Sequence, residues 1–151
     1  MIEKEELLSI LPHRGRMLLL SRVVAYNLEE RSIETEYHVT EDCLFYDSAA
    51  MGVPAWVGFE FIAQSISAFS GIRDRAEGVP PKKGFVLAVS QLKMGLNFFK
   101  TGSIITIRSK EIENIYPVYA FEGEIFLDGK KVLEGRLTVM EVDSENEKRF
   151  M

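Results

Sequence analysis

The residue best placed to do chemistry is Glu60. It lies within P-A-W-V-G-F-E-F-I-A-Q-S-I-S-A-F-S-G, residues 54–71, a stretch otherwise almost wholly apolar. A carboxyl group among apolar side chains is disfavoured as an anion, so its pKa is expected to rise and it becomes a proton donor near neutral pH. A proton acceptor to match it would come from the two histidines, His13 and His38, because imidazole titrates closest to neutrality. His13 follows Pro12 in a loop, where capping of backbone groups and base catalysis are both open to it. His38 shares the polar side of an alternating segment with Glu34 and Glu36, so it reads as a solvated imidazole. Cys43 is the single cysteine; a nucleophilic role is conceivable, but a small apolar filler is the commoner fate.

The elements that position these residues follow from periodicity. Pro54 suits the first turn of a helix and Gly71 suits its end. Trp56, Val57, Phe59, Phe61, Ile62, Ala63, Ile66, Ala68 and Phe69 surround nearly its whole circumference, which places the helix in a core. Glu60, Gln64, Ser67 and Gly71 fall at i, i+4, i+7 and i+11 and form its one polar stripe. Upstream, Glu3 to Leu11 reads as a short amphipathic helix stopped by Pro12, and 17–26 as a buried strand. Residues 32–39 alternate with period two. Residues 40–52 form a loop richer in apolar residues than a surface loop needs. Residues 72–83 are expected to run over the surface. Strands follow at 84–96, 103–115, 118–127 and 130–142, the last two joined by Asp128-Gly129, a hairpin signal. One core helix with one antiparallel sheet makes an α+β fold, the sheet curled round the helix.

Composition narrows the function classes. A chain of 151 residues, 46% hydrophobic and 11% aromatic, is expected to form one domain, 1–151, with a frayed charged tail at 143–151. A formal charge of −5 argues against nucleic acid as a partner. A lone cysteine and an acidic N-terminus with no apolar signal region favour a cytoplasmic location. No apolar run approaches the roughly 20 residues a membrane helix needs.

Four stretches, taken in order, resemble a known family: L-P-H-R followed by M-L-L-L-S-R-V; G-F-E-F-I-A-Q; G-F-V-L-A-V-S-Q-L-K; and F-L-D-G-K-K-V-L-E-G-R-L-T-V. They are similar to the hotdog-fold 3-hydroxyacyl-ACP dehydratases of the FabA/FabZ type. V-P-A-W-V-G-F-E-F-I-A-Q is closer still to the dehydratase-like subgroup of aryl-polyene-type lipid biosynthesis clusters. The resemblance implies a hotdog homodimer with its sheets joined edge to edge. It also implies a substrate held as a phosphopantetheine thioester on acyl carrier protein or CoA, with no cofactor and no metal. Glu60 matches the family's catalytic carboxylate, and Gln64 the glutamine that holds it. Tyr46 stands where these dehydratases carry a catalytic histidine, fourteen residues before Glu60. Ordinary chemistry of the family therefore cannot be carried over unaltered.

Eliminating water from a 3-hydroxyacyl thioester needs a base for the C2 proton, an acid for the departing hydroxyl and a donor that polarises the carbonyl. Glu60 is expected to be the acid and His13 the base, with Tyr46 and Asp47 behind it. The amides of Ala55 and Trp56, at the helix start, are expected to polarise the carbonyl. Arg14, Arg16, Lys82 and Lys83 are expected to meet an acidic carrier, although plain solubility explains any one of them; Arg73 and Arg75 belong to the same basic clusters. Two other readings stand beside this one. A hotdog thioesterase would use Glu60 to activate water. A non-catalytic subunit would pair with an active dehydratase, and the missing histidine supports it.

Overall fold

The computed structural model describes residues 1–142, so the predicted tail at 143–151 lies outside the described residues. Among the described residues, nine strands and two α-helices occur in the order β1 (Ile2–Glu3), α1 (Lys4–Leu7), β2 (Arg22–Asn27), β3 (Ser32–His38), β4 (Gly52–Pro54), α2 (Gly58–Ala76), β5 (Lys83–Met94), β6 (Phe98–Lys100), β7 (Ile104–Ile115), β8 (Val118–Leu127) and β9 (Lys130–Val142). Seven of the strands form one antiparallel sheet in the order β1-β2-β3-β7-β8-β9-β5, and β4 pairs with β6 apart from it. The sheet wraps α2, as the hotdog resemblance implies.

Strand alternation supplies the concave face that receives the helix. Ile33, Thr35 and Tyr37 of β3, Ile105 and Ile107 of β7, and Leu133 and Leu137 of β9 are all buried. Phe61, Ile62 and Phe69 of α2 are fully enclosed against them, each contributing about 1.5–3 kcal/mol relative to exposure. One polar contact fixes the helix in register: the Ser65 and Thr35 hydroxyls meet at 2.5 Å inside the core. At the β8–β9 turn, Asp128 and Gly129 both have positive φ, 52° and 77°, the geometry of the predicted hairpin.

Several expectations change. The central helix is longer than 54–71: a 3-10 turn at Ala55–Val57 leads into an α-helix that continues to Ala76. Gly71 is therefore not a helix terminator. A Cβ there would lie 2.6 Å from the Ile10 side chain and 2.7 Å from its carbonyl oxygen, so glycine permits the close crossing of the α1 segment. Residues 72–83 are not wholly superficial, since Ile72 and Asp74 are buried. The first helix is only Lys4–Leu7, because Glu3 is taken into a strand pair with Arg22. The segment 17–26 becomes a strand only from Arg22. Before it, Gly15–Met17 makes a 3-10 turn and Leu18, Leu19 and Leu20 are buried without a ladder. The Leu18 amide closes the turn on the Gly15 carbonyl at 3.1 Å, and the side chain of Gln64 accepts from the Leu19 amide at 2.7 Å and donates to the Met17 carbonyl at 2.8 Å.

Candidate active site

The polar stripe of α2 faces a groove of about 830 Å³ that runs between the helix, the 8–14 segment and the first residues of β5. Glu60, Gln64, Ser67 and Gly71 all line it, together with His13. Glu60 is half-buried on the groove wall, not sunk in the core. Gln64 is almost fully buried and donates to Glu60 Oε1 at 3.4 Å through the same Nε2 that bonds Met17. One amide thus ties the carboxylate to the backbone of the loop that follows His13.

His13 is half-buried, and its Nδ1 is enclosed without a hydrogen-bond partner among the described residues. Burial lowers its pKa below the ordinary 6.5; the nearby Glu60 carboxylate pulls it back up in part, and Arg14 adds to the lowering. The imidazole is therefore neutral at pH 7 and able to accept a proton. A neutral base and a carboxyl group in one groove form an acid–base pair, suited to taking a proton from one substrate atom and giving one to another.

The family model of ApeP dehydratases matches residues 5–151. The chain belongs to the ApeP-like dehydratase family. Over 71 residues it is 37% identical to the 3-hydroxyacyl-[acyl-carrier-protein] dehydratase FabZ of Chlamydia caviae, covering 47% of this chain and 46% of that one. The FabZ of Chlamydia abortus is 35% identical over the same length. The match thus spans about half the length of these curated relatives. Among solved structures, the ApeI:P dehydratase heterocomplex of Xenorhabdus doucetiae superposes with a TM-score of 0.85 at 23% identity, covering 94% of each chain. A thioesterase-like protein with coenzyme A from Streptococcus pneumoniae gives 0.60 at 12% identity, covering 80% of this chain and 84% of that one. These two likenesses establish the hotdog fold.

Other expected site residues of this ApeP-like chain lie elsewhere or are already engaged. The Ala55 amide donates to the Asn97 carbonyl at 2.9 Å, so it is not an open donor for a thioester carbonyl. Trp56 is 51% exposed, edge-on to Phe45 and stacked over Phe59. The Tyr46 hydroxyl accepts from Thr101 at 3.2 Å, and Tyr46 is absent from the groove lining. Asp47 closes its own turn, accepting from the Ala49 and Ala50 amides at 2.9 and 3.2 Å. Cys43 is buried in the core. His38 is exposed beside Glu36, as alternation predicts. Among the expected carrier contacts, Lys82 is held by Asp74 at 3.0 Å, and Arg14 bonds three backbone carbonyls of its own segment. Arg16 donates to the Asp42 and Cys43 carbonyls at 3.1 and 3.4 Å but remains exposed, and Lys83 is exposed at the start of β5.

A second polar cluster at the far end of α2 escaped the reading of the sequence. Arg73 pairs with Glu141, Ser70 donates to Glu141 at 2.7 Å, and the wholly buried Asp74 takes Lys82. Burial raises the pKa of Glu111 nearby, while Arg31 at 3.0 Å opposes the rise. The signal was parity: Glu141 continues the inward set Leu133, Leu137, Val139, and Glu111 continues Ile105, Ile107, Ser109. Among the described residues no helix is long and apolar enough to cross a membrane.

Proposed function

We propose that this chain dehydrates a 3-hydroxyacyl thioester carried on acyl carrier protein. His13 takes the proton at C2, and the C2–H electrons become the C2=C3 double bond. The C3–O bond breaks, and Glu60 gives its proton to the departing hydroxyl, which leaves as water. The proton then returns from the imidazolium to Glu60 through water in the groove, which restores both groups. The observation that carries this reading is the meeting of His13 and Glu60 in one groove, with Gln64 bonded to Glu60. Family membership supports it. No cofactor enters the scheme. CoA is the alternative carrier, and the exposed Arg16 is the cation best placed to meet an acidic carrier protein.

The assembly proposed is a dimer through β5, in one single-domain chain acting in the cytoplasm. β5 is the long free edge of the sheet, and Phe85 and Leu87 on it are 51% and 53% exposed. An apolar edge of this length is an invitation to pair. Light scattering should give twice the 17.2 kDa chain mass; a monomer at micromolar concentration would refute this.

The decisive assay incubates the purified protein with short 3-hydroxyacyl thioesters of acyl carrier protein and follows mass. Loss of water to an enoyl thioester is expected. Release of a free thiol would establish the thioesterase instead. A second reading makes the chain a subunit that pairs with another dehydratase. Tyr46, bonded to Thr101 outside the groove in the place of the family's histidine, favours it, and one similar structure is named as a heterocomplex. No turnover alone, with turnover on adding a related dehydratase subunit, would decide for that reading.

A further inference from the structure

Arg14 lines the groove beside His13, and its guanidinium bonds the backbone of its own segment. Its Nη1 donates to the Leu11 carbonyl at 2.6 Å and to the His13 carbonyl at 2.9 Å, and its Nη2 donates to the Leu8 carbonyl at 2.6 Å. The Leu8 carbonyl caps the end of α1, and the Leu11 and His13 carbonyls belong to the loop beyond it, so one guanidinium ties the helix end to the backbone on both sides of Pro12. The planar guanidinium bridges points that a lysine's single ammonium cannot hold in fixed geometry. The flanking backbone is also fixed: Pro12 restricts φ on one side, and on the other Gly15 adopts φ +57° to open the turn capped by Arg14. Gln64 then holds Met17 and Leu19 from the helix side.

We infer that Arg14 is a positioning residue, which clamps the His13 backbone so that the imidazole faces Glu60 across the groove. It touches neither substrate nor carrier. Two ionisable groups influence the imidazole, Glu60 from α2 and Arg14 from its own loop; Lys82, Lys83 and Glu141 line the groove further along. Arg14 therefore acts on His13 in two separable ways. Its fork sets where the ring stands, and its positive charge opposes protonation of the ring.

Two variants separate these roles. In Arg14→Ala both are lost. kcat should fall roughly 10- to 100-fold, the scale of a small misplacement of a reacting group, with KM for the carrier-bound substrate unchanged. The His13 titration, followed by NMR, should move to higher pH, because a repelling charge is gone. His38 is the internal reference, since it and His13 are the two histidines of the chain, and its titration should not move. In Arg14→Lys the charge remains, so the His13 titration should stay near that of the wild type while kcat lies between wild type and Arg14→Ala. An unmoved His13 titration in Arg14→Ala would overturn the inference, as would a defect confined to KM, which is the mark of carrier binding. If Arg14→Ala fails to fold, both imidazoles titrate together, and Arg14→Lys decides: reduced kcat with retained titration supports the clamp, and wild-type kcat overturns it. The kinetic arm rests on the dehydratase reading, whereas the NMR arm does not. A protein with no turnover therefore defeats that reading, and the clamp is then judged by NMR contacts between the His13 ring and α2: Arg14→Ala should lose them, and their retention would overturn the clamp.

Discussion

Helix α2 carries two carboxylates fourteen residues apart, Glu60 and Asp74, in opposite surroundings. Asp74 is 0% exposed and has both oxygens occupied: Oδ1 takes Lys82 Nζ at 3.0 Å, and Oδ2 takes the Lys82 amide at 3.2 Å. The Arg73 guanidinium stands 3.6 Å from Oδ1. Glu60 opens onto the groove, and Gln64 at 3.4 Å is its one hydrogen-bond partner among the described residues. A buried carboxyl with a partner on each oxygen holds the chain in shape, here by fastening the segment that leads into β5. A half-buried carboxyl with lone pairs to spare is available to a ligand. The same helix thus has a reactive half and a structural half, and the difference lies in partners, not in residue type.

The largest expected effect falls on the reactive half. Glu60→Gln keeps the shape and removes the transferable proton, so turnover should drop roughly 10²–10⁴-fold, while thermal stability holds. Normal turnover in that variant, measured by enoyl-thioester formation, would erase the contrast with Asp74. On the structural half, Asp74→Ala leaves Lys82 without its partner. Lys82 is 21% exposed and can turn to water, but the buried acceptor of its amide is lost, at about 1–3 kcal/mol, so denaturant midpoints should fall while kcat per folded molecule is kept. A loss of kcat at full stability would mean the two halves had been assigned the wrong way round.

The histidines sharpen the same division. His13→Ala should remove most of the dehydration, and His38→Ala should leave it nearly intact. The base works when neutral, so activity is present above the His13 pKa and is lost as pH falls through it. Because burial holds that pKa below 6.5, the acid limb of the kcat/KM profile should lie below pH 6.5 and vanish in His13→Ala. A limb well above that value would assign the base elsewhere. The smallest effect is expected one residue past Asp74. Arg75 pairs with Glu6 at 2.9 Å, but both are about half exposed, and such pairs are worth about 0–1 kcal/mol. Arg75→Ala should barely move the melting curve, and a large shift would mean that exposure is a poor guide to the halves of this helix.

The sequence by itself determined the central helix, its polar stripe and the longer strands, because those rest on periodicity; the short pairs of β1 with β2 and of β4 with β6 carry too few residues to show a period. Spacing of 3.6 put Glu60, Gln64 and Ser67 on one face, and alternation turned His38 outwards and Ile33, Thr35 and Tyr37 inwards. An apolar setting singled out Glu60, and motif resemblance narrowed the α+β fold to the hotdog type. What tertiary structure alone decided was partnership. Arg14, Lys82 and the Ala55 amide looked available, yet each meets an acceptor: Leu8, Leu11 and His13 for the first, Asp74 for the second, Asn97 for the third. The segment 17–20 looked like a strand, yet a glutamine 45 residues from Leu19 bonds its backbone in place of a ladder. Periodicity is a property of neighbours along the chain and can be read from them. A hydrogen-bond partner is a property of neighbours in space, and it exists only once the sheet has closed around the helix.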